Sequence, residues 1–200
     1  SGRTDENGMI IIEELRFGKY YILEKEAPEG YVLNTEKMYF EVLKDGEIIK
    51  SNMKDKKISG TLEFTKTDVS TSQPLPNTLI EIYNDKDELI FSGRTDENGQ
   101  IIIKELEYGK YYILEKEAPI GYVLNTEKMY FEIKEDGEIV KSTMLNKKIT
   151  STLKIHKLDE NNKSLQGVNI GIYNLDGTLI NSLLTDENGE IVKETVFEGK

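Results

Sequence analysis

The sequence repeats itself at a fixed interval, and this feature constrains the fold more than any other. The segment SGRTDENG at Ser1–Gly8 recurs at Ser92–Gly99, a shift of 91 residues (92 minus 1) that then holds without a gap. The motif TDENG occurs again at Thr185–Gly189, now at a shift of 90 residues (185 minus 95). The third copy has therefore lost one residue, in the loop after Asp159. Polar surface loops tolerate deletions, so we expect three copies of one folding unit.

The ends of these copies divide the chain into three segments. We predict the C-terminal half of a repeat at 1–57, a complete repeat at 58–148 and the N-terminal half of another repeat at 149–200. The connection at 147–152 contains no spacer rich in Gly, Pro or Ser. We therefore expect short, stiff junctions, with neighbouring repeats of the same protein as the partners of each repeat.

Within the complete repeat, apolar and polar residues alternate with a period of two, which is typical of β-strands. The alternating segments are short and are separated by turn sequences such as PLPN, DKDE, TDENG and DG. They are TLEFTKTD, TLIEIYN, ELIFSG, QIIIK, KYYILEKE, KMYFEIK and EIVKSTMLN. Strands of this number and length predict an all-β protein built from tandem antiparallel β-sandwich repeats.

The composition excludes several classes of function. A formal net charge of −11 over 200 residues disfavours binding to nucleic acid and to anionic membranes, which both need clustered Lys and Arg. The chain contains no Cys and one His, which excludes disulfides, thiolate metal sites and a histidine metal site. We expect no cofactor and no metal.

The repeated TDENG motif is acidic and invites comparison with a calcium loop. In an EF-hand loop the glycine stands at the sixth position, whereas Gly99 is the fourth residue counted from Asp96. The motif instead predicts a turn between strands, in which Asn-Gly supplies a positive φ.

Three strands of the complete repeat each end an apolar stripe with one polar residue. Alternation places Lys66, Glu115 and Asn146 on the inward faces of their strands. Any one of these residues alone is more typical of a strand end that reaches solvent. An amine, a carboxylic acid and a carboxamide together predict a buried and paired cluster, because an unpaired buried charge is costly.

This cluster contains the groups needed for an amide exchange. Burial favours the neutral forms of the amine and the acid, which gives a nucleophile beside a proton shuttle. We expect Lys66 to attack the side-chain carbonyl of Asn146, while Glu115 polarises that carbonyl and relays protons until ammonia leaves. The reaction occurs once per molecule, so it is autocatalytic maturation and the chain is not expected to be an enzyme.

Three motifs resemble a known family. The segment YYILEKEAPIGY resembles the Y-x-L-x-E-x-x-A-P-x-G-Y box of the collagen-adhesin B-type, or SpaA-like pilin, repeats of Gram-positive surface proteins, and TLEFTKTD and MLNKK resemble that family's first and closing strands. The resemblance implies a prealbumin-like (reverse immunoglobulin-like) sandwich. It further implies that Lys66 is the cross-linking amine, Glu115 the catalytic acid and Asn146 the cross-linked amide.

The two incomplete repeats carry single members of the same cluster. Glu24 occupies the position of the catalytic acid, Asp55 that of the amide and Lys157 that of the amine. An aspartate can accept a lysine amine with loss of water. Neither half holds all three groups, so one hypothesis is that Lys157 of one chain meets Glu24 and Asp55 of another, head to tail, by strand complementation.

The sequence thus predicts structural spacer repeats of a cell-wall-anchored adhesin or pilin-like protein, stabilised by an isopeptide bond between Lys66 and Asn146. The resemblance implies a location outside the cell, with other domains contacting the host extracellular matrix. Two alternatives stay open: the repeats themselves bind a host ligand, or the half repeats assemble head to tail. The near identity of the copies favours spacing over specific recognition.

Overall fold

The structure, a computed structural model, describes the backbone of residues 2–196 and the side chains of residues 2–192. Within this range the chain forms fifteen β-strands and no helix, which confirms the predicted all-β class. It follows that no helix in the described range could cross a membrane.

The first segment contains four short strands, which form two antiparallel pairs. They are β1 (Gly18–Ile22), β2 (Tyr31–Val32), β3 (Met38–Val42) and β4 (Lys56–Lys57), with β1 paired to β3 and β2 to β4. Residues 43–55, which include the counterpart of the closing strand of the complete repeat at 48–55, form no strand. No neighbouring strand of the described structure pairs with this stretch, and an extended segment needs such a partner to satisfy its backbone groups.

The complete repeat forms a strand at each of the predicted segments. These strands are β5 (Ser59–Asp68), β6 (Leu79–Asn84), β7 (Leu89–Arg94), β8 (Gln100–Glu107), β9 (Gly109–Glu117), β10 (Met129–Ile133) and β11 (Ile139–Asn146). They build two sheets, one with the order β10-β9-β6-β7 and one with the order β11-β5-β8. The cluster predicted from the sequence therefore draws on both sheets, since β9 lies in the first and β5 and β11 in the second.

The first and last strands of the complete repeat, β5 and β11, run in the same direction. The N–H of Thr61 donates to the carbonyl of Glu138 at 2.8 Å, and the N–H of Val69 donates to that of Asn146 at 3.0 Å. Both bonds join residues 77 apart (138 minus 61 and 146 minus 69), and a constant difference is the mark of parallel neighbours. In contrast, β6 pairs antiparallel with both β7 and β9.

The last segment forms four strands, again as two antiparallel pairs. They are β12 (Thr150–His156), β13 (Asn169–Tyr173), β14 (Leu179–Leu184) and β15 (Glu190–Val196). Strand β12 pairs with β15 and β13 pairs with β14.

The chain divides into two compact units that cut across the repeats. Unit 1 comprises Ser1–Leu62, Ile103–Lys110 and Phe131–Val140, and unit 2 comprises Glu63–Ile102, Tyr111–Tyr130 and Lys141–Lys200. The buried apolar side chains of unit 1 are Leu62, Leu106, Phe131 and Ile133. The most deeply buried apolar side chains of unit 2 are Phe64, Ile80, Ile82, Ile113 and Met144.

Candidate functional site: a buried amine, acid and amide

The alternation of strand β5 carries a lysine into the interior of unit 2. Every second residue of this strand is buried, and Lys66 is 0% exposed between the buried Phe64 and Asp68. Alternation on β9 and β11 buries Glu115 and Asn146 in the same way, at 3% and 2% exposure. The structure thus brings together the three residues that the sequence singled out.

The three side chains contact one another directly. Lys66 Nζ donates to Asn146 Oδ1 at 2.5 Å, and Asn146 Nδ2 donates to Glu115 Oε1 at 2.5 Å. The third side of the triangle is longer, with Lys66 Nζ 3.4 Å from Glu115 Oε2. Each polar group of the cluster therefore has a partner, which is the condition under which such groups are tolerated in an interior.

Burial shapes the chemistry of the amine. Desolvation lowers the pKa of Lys66 from its ordinary value, while the charge of Glu115 and its hydrogen bond act in the opposite direction. A lowered pKa increases the fraction of neutral amine at a given pH, and only the neutral amine has a lone pair with which to attack a carbonyl. The site thus holds a larger fraction of the lysine in its nucleophilic form than water would at the same pH.

The position of Glu115 differs from the one expected from the sequence. Its carboxyl binds the amide nitrogen of Asn146, whereas we expected it to polarise the carbonyl. The carbonyl oxygen is instead contacted by Lys66 Nζ. A carboxyl at the nitrogen is well placed to protonate the group that departs when the amide is cleaved.

Asn125 is a residue of this site that the sequence analysis missed. Its N–H donates to Glu115 Oε2 at 3.2 Å, and its Nδ2 donates to the carbonyl of Leu145, next to Asn146, at 3.4 Å. The same arrangement occurs in the first segment, where the N–H of Asn34 donates to Glu24 Oε2 at 2.6 Å. The signal that could have found it is the identical GYVLN sequence in both copies.

Asp68 and Tyr122 form a second contact that the sequence analysis missed. Asp68 is 1% exposed and accepts the Tyr122 hydroxyl at 3.0 Å, together with the N–H groups of Ser70 and Thr71. The hydrogen bond from the Thr71 N–H contributes most to lowering the pKa of Asp68. This contact joins the end of β5 to the last residue of the EAPIGY sequence, close to the cluster.

The corresponding residues of the incomplete repeats lie in more open surroundings. Glu24 and Asp55 are half-buried, and Lys157 is exposed. Lys157 Nζ donates to the carbonyl of Leu158 at 3.3 Å. Within the described residues none of the three belongs to a cluster of amine, acid and amide. Nor does the described part of the chain contain a group of three or more acidic or histidine side chains arranged to hold a metal ion.

Comparison with known families identifies the fold. A family model described as a SpaA prealbumin-like fold domain matches residues 1–57, 60–148 and 151–200. The chain belongs to the SpaA prealbumin-like domain family. The prealbumin-like sandwich implied by the sequence motifs is therefore confirmed, and the repeats are SpaA-type domains.

Proteins similar to this chain occur in Streptococcus and Bacillus. A trypsin-resistant surface T6 protein of Streptococcus pyogenes serotype M6 is 31% identical over 151 residues, which cover 74% of this chain and 27% of that protein. The Bacillus anthracis TIE protein is 38% identical with a TM-score of 0.87, over 96% of this chain and 37% of that one. BcpA, the major pilin subunit of Bacillus cereus, is 27% identical with a TM-score of 0.46, over 48% of this chain and 31% of that one. The chain thus spans between about a quarter and two fifths of each of these proteins.

Proposed function

We propose that the chain is a set of spacer repeats from a Gram-positive surface stalk, and that its complete repeat closes an isopeptide bond between Lys66 and Asn146. The observation that carries this proposal is the approach of Lys66 Nζ to the Asn146 side chain, 2.5 Å from Oδ1, in a fully buried position. Two reacting groups held in contact and shielded from water replace a bimolecular reaction by an intramolecular one.

The proposed reaction balances without a co-reactant. The neutral amine of Lys66 attacks Cγ of Asn146, so that a new C–N bond forms and the bond from Cγ to Nδ2 breaks. Glu115 takes a proton from the attacking nitrogen and delivers one to the departing nitrogen, which leaves as ammonia. The carboxyl ends in its starting state, and the product is a secondary amide joining β5 to β11.

The two junctions between repeats support a spacer role because they are built alike. In unit 1 the N–H of Ile58 donates to the carbonyl of Gly30 at 2.8 Å, and in unit 2 the N–H of Ile149 donates to that of Gly121 at 2.7 Å. In each case a G-Y sequence of one repeat bonds to the K-K-I sequence that leads into the next. A regular array of repeats requires the same junction, with the same hydrogen bonds, between each pair of neighbouring repeats.

Further contacts tighten the first junction, all of them within unit 1. The Tyr108 hydroxyl donates to Glu29 Oε1 at 2.7 Å, and Lys57 pairs with Glu107 at 3.0 Å. Lys56 pairs with Asp136 at 2.6 Å. The first and second repeats are thus held by side chains as well as by backbone, which supports our proposal of a repeat boundary near residue 57.

We propose that the parent protein is displayed on the cell surface and attached to the cell wall; the similarity of this chain to a surface protein of Streptococcus pyogenes supports this proposal. In this arrangement the repeats contact one another, and other domains of the parent protein contact host extracellular matrix. The reaction of the complete repeat is a single maturation event.

Intact mass measurement tests the proposed bond. The wild-type chain should be lighter than its sequence mass by one ammonia, and Lys66→Ala or Glu115→Ala should restore the full mass. Asn146→Asp offers a further check, because loss of water from the aspartate gives the same product and therefore the same final mass as the wild type. A wild-type chain of full sequence mass contradicts the proposal.

A second candidate function, head-to-tail assembly, applies to a polypeptide that consists of these 200 residues only. Core residues that are exposed in the half repeats favour it. Tyr21 is 51% exposed and Leu153 is 38% exposed, although the matching residues of the complete repeat, Tyr112 and Leu62, are 7% and 0% exposed. The first and last segments thus present opposite parts of one sandwich, which could bury each other between two chains.

In that candidate function, Lys157 of one chain joins Asp55 of the next with loss of water, assisted by Glu24. Denaturing gels at increasing protein concentration should then show covalent ladders, and Lys157→Arg should abolish them without affecting the bond of the complete repeat. A single monomer band at all concentrations rules this candidate out.

A further inference from the structure

The TDENG turn lies against the backbone of the reactive lysine. In the complete repeat the N–H of Lys66 donates to the carbonyl of Gly99 at 2.8 Å. The carbonyl of Lys66 accepts the N–H of Leu75 at 2.9 Å. Both backbone polar groups of Lys66 are therefore held by residues outside its own strand, one of them by the turn.

The turn is itself held rigidly by its aspartate. Asp96 Oδ1 accepts the N–H groups of Asn98 at 2.9 Å and Gln100 at 2.7 Å, and the N–H of Gly99 donates to the Asp96 carbonyl at 2.9 Å. These bonds engage the acidic side chain of the motif within the turn. They leave Gly99 with a φ of +69° and with its α-carbon facing the strand of Lys66.

A side chain at Gly99 has no room. A Cβ placed there would approach the carbonyl oxygen of Lys66 more closely than real Cβ atoms do, and it would lie 3.0 Å from the N–H nitrogen of Leu75. Both are backbone atoms, so the strand of Lys66 would have to move to accommodate it. The last segment repeats this geometry, with a Cβ on Gly189 falling 2.7 Å from the carbonyl oxygen of Lys157.

We propose that the TDENG turn positions the reactive lysine strand, and that Gly99 is a positioning residue for Lys66; the inference rests on the cross-link proposed above. Gly99 does not touch the reacting atoms. It sets where the Cα of Lys66 lies, and thereby the reach of Nζ towards Asn146. Misplacing a reacting group by about 1 Å costs roughly a hundredfold in rate, so Gly99→Ala should slow bond formation by about 10- to 100-fold.

The chain provides two matched controls for the backbone strain of this substitution. Gly8 belongs to the TDENG motif of the first segment and has a φ of +73°, and Gly137 lies in another turn with a φ of +76°. At both positions nothing lies within 4 Å of an added Cβ. Alanine there meets the same unfavourable φ without displacing a lysine strand.

Pulse synthesis in a cell-free system measures the rate of bond formation. Samples quenched at intervals are separated on denaturing gels, where the branched, cross-linked chain migrates apart from the linear one. We expect Gly8→Ala and Gly137→Ala to react at the wild-type rate and Gly99→Ala to lag. The melting temperatures of all three variants are compared in a Glu115→Ala background, so that stability is measured without the bond.

The outcomes separate a positioning role from a structural one. Slow bond formation by Gly99→Ala, beyond that of a control variant of equal melting temperature, supports the inference, and equal rates overturn it. If Gly99→Ala does not fold, Asp96→Ala loosens the same turn without adding an atom, and Asp5→Ala is its control in the first segment; equal rates for these two overturn the inference. A wild-type chain that never cross-links removes the proposed function itself.

Discussion

The complete repeat and the two half repeats carry the same sequence pattern in different surroundings. Tyr112 is 7% exposed in the complete repeat and its counterpart Tyr21 is 51% exposed, while Leu62 is 0% exposed and its counterpart Leu153 is 38% exposed. Strands form in all three segments, although in the first segment the counterparts of β8 (residues 9–16) and β11 (residues 48–55) form none. Burial of the inner faces of the strands thus requires both sheets of one sandwich.

The same comparison applies to the chemistry. Lys66 and Lys157 occupy equivalent positions, each with its backbone bonded to the glycine of a TDENG turn. Only Lys66 is buried, and its pKa is lowered by desolvation. The buried environment that the proposed reaction needs is therefore a property of the closed sandwich around the lysine and not of the lysine strand alone.

The strongest way to test this difference is to remove the acid from each segment in turn. Glu115→Ala should leave the bond unmade and lower the free energy of unfolding by about 4–5 kcal/mol, since the bond closes a loop between residues 80 apart. Urea unfolding followed by circular dichroism measures this loss. The matched variant Glu24→Ala should still be lighter than its own sequence mass by one ammonia, and the unfolding midpoint of its complete repeat should not change.

The dependence of stability on pH should distinguish the two lysines. Burial lowers the folded-state pKa of Lys66 from its ordinary value of 10.5, and we expect the same direction in an Asn146→Ala variant, which cannot cross-link. Below the folded-state pKa, Lys66 is protonated in both the folded and the unfolded state, and burying its charge destabilises the fold in full. This destabilisation is lost as the pH rises from the folded-state pKa towards 10.5. Replacing Lys66 by Met should therefore stabilise this variant at neutral pH and less so at alkaline pH.

Unfolding of the single and double variants at a series of pH values provides this measurement. Lys157→Met serves as the control, because an exposed lysine loses little solvation on folding. A stabilisation by Lys66→Met that does not change with pH would show that the amine of Lys66 titrates as it does in water.

A smaller difference is expected at the asparagines that bind the acids. Asn125→Ala removes the bond to the Leu145 carbonyl beside a buried carboxyl and should cost about 1 kcal/mol in the Asn146→Ala background. Asn34→Ala removes the equivalent bond beside the half-buried Glu24 and should cost a few tenths of that, because water takes over the contact. Equal losses in denaturant unfolding would mean that burial of the acid does not matter.

The smallest effect is expected at the first junction. Lys56 pairs with Asp136, but its side chain is 69% exposed, so Lys56→Ala should change the unfolding free energy by less than about 1 kcal/mol. Raising the salt concentration should reduce even this difference. A loss of several kcal/mol in thermal unfolding would contradict a solvent-screened contact.

Much of the fold follows from sequence alone because alternation is a local property. The inward positions of Lys66, Glu115 and Asn146 follow from counting residues along their strands. The direction of β11 beside β5 does not, since it depends on how distant segments pair. The role of Asn125 depends likewise on the path of its loop, and the placement of Glu115 at the amide nitrogen depends on side-chain rotamers that no sequence pattern encodes.

The half repeats mark the other limit of sequence-based prediction. Residues 48–55 are the counterpart of the closing strand of the complete repeat and match it at four of eight positions, yet they form no strand. Their pattern is correct, but the described structure offers no equivalent of β5 beside them. A strand at this position is a property of the pair and not of the segment.

The parallel course of β5 and β11 matters when a stalk is pulled from its two ends. Tension enters a complete repeat at Ile58, and with the proposed bond in place it follows β5 to Lys66, crosses to Asn146 and leaves towards the next repeat. The residues between the two bonded side chains then carry no load. Lys66 and Asn146 are 80 residues apart, so at roughly 3.5 Å per residue the bond prevents about 280 Å of chain from being pulled out. An array of such repeats would keep a nearly constant length under drag.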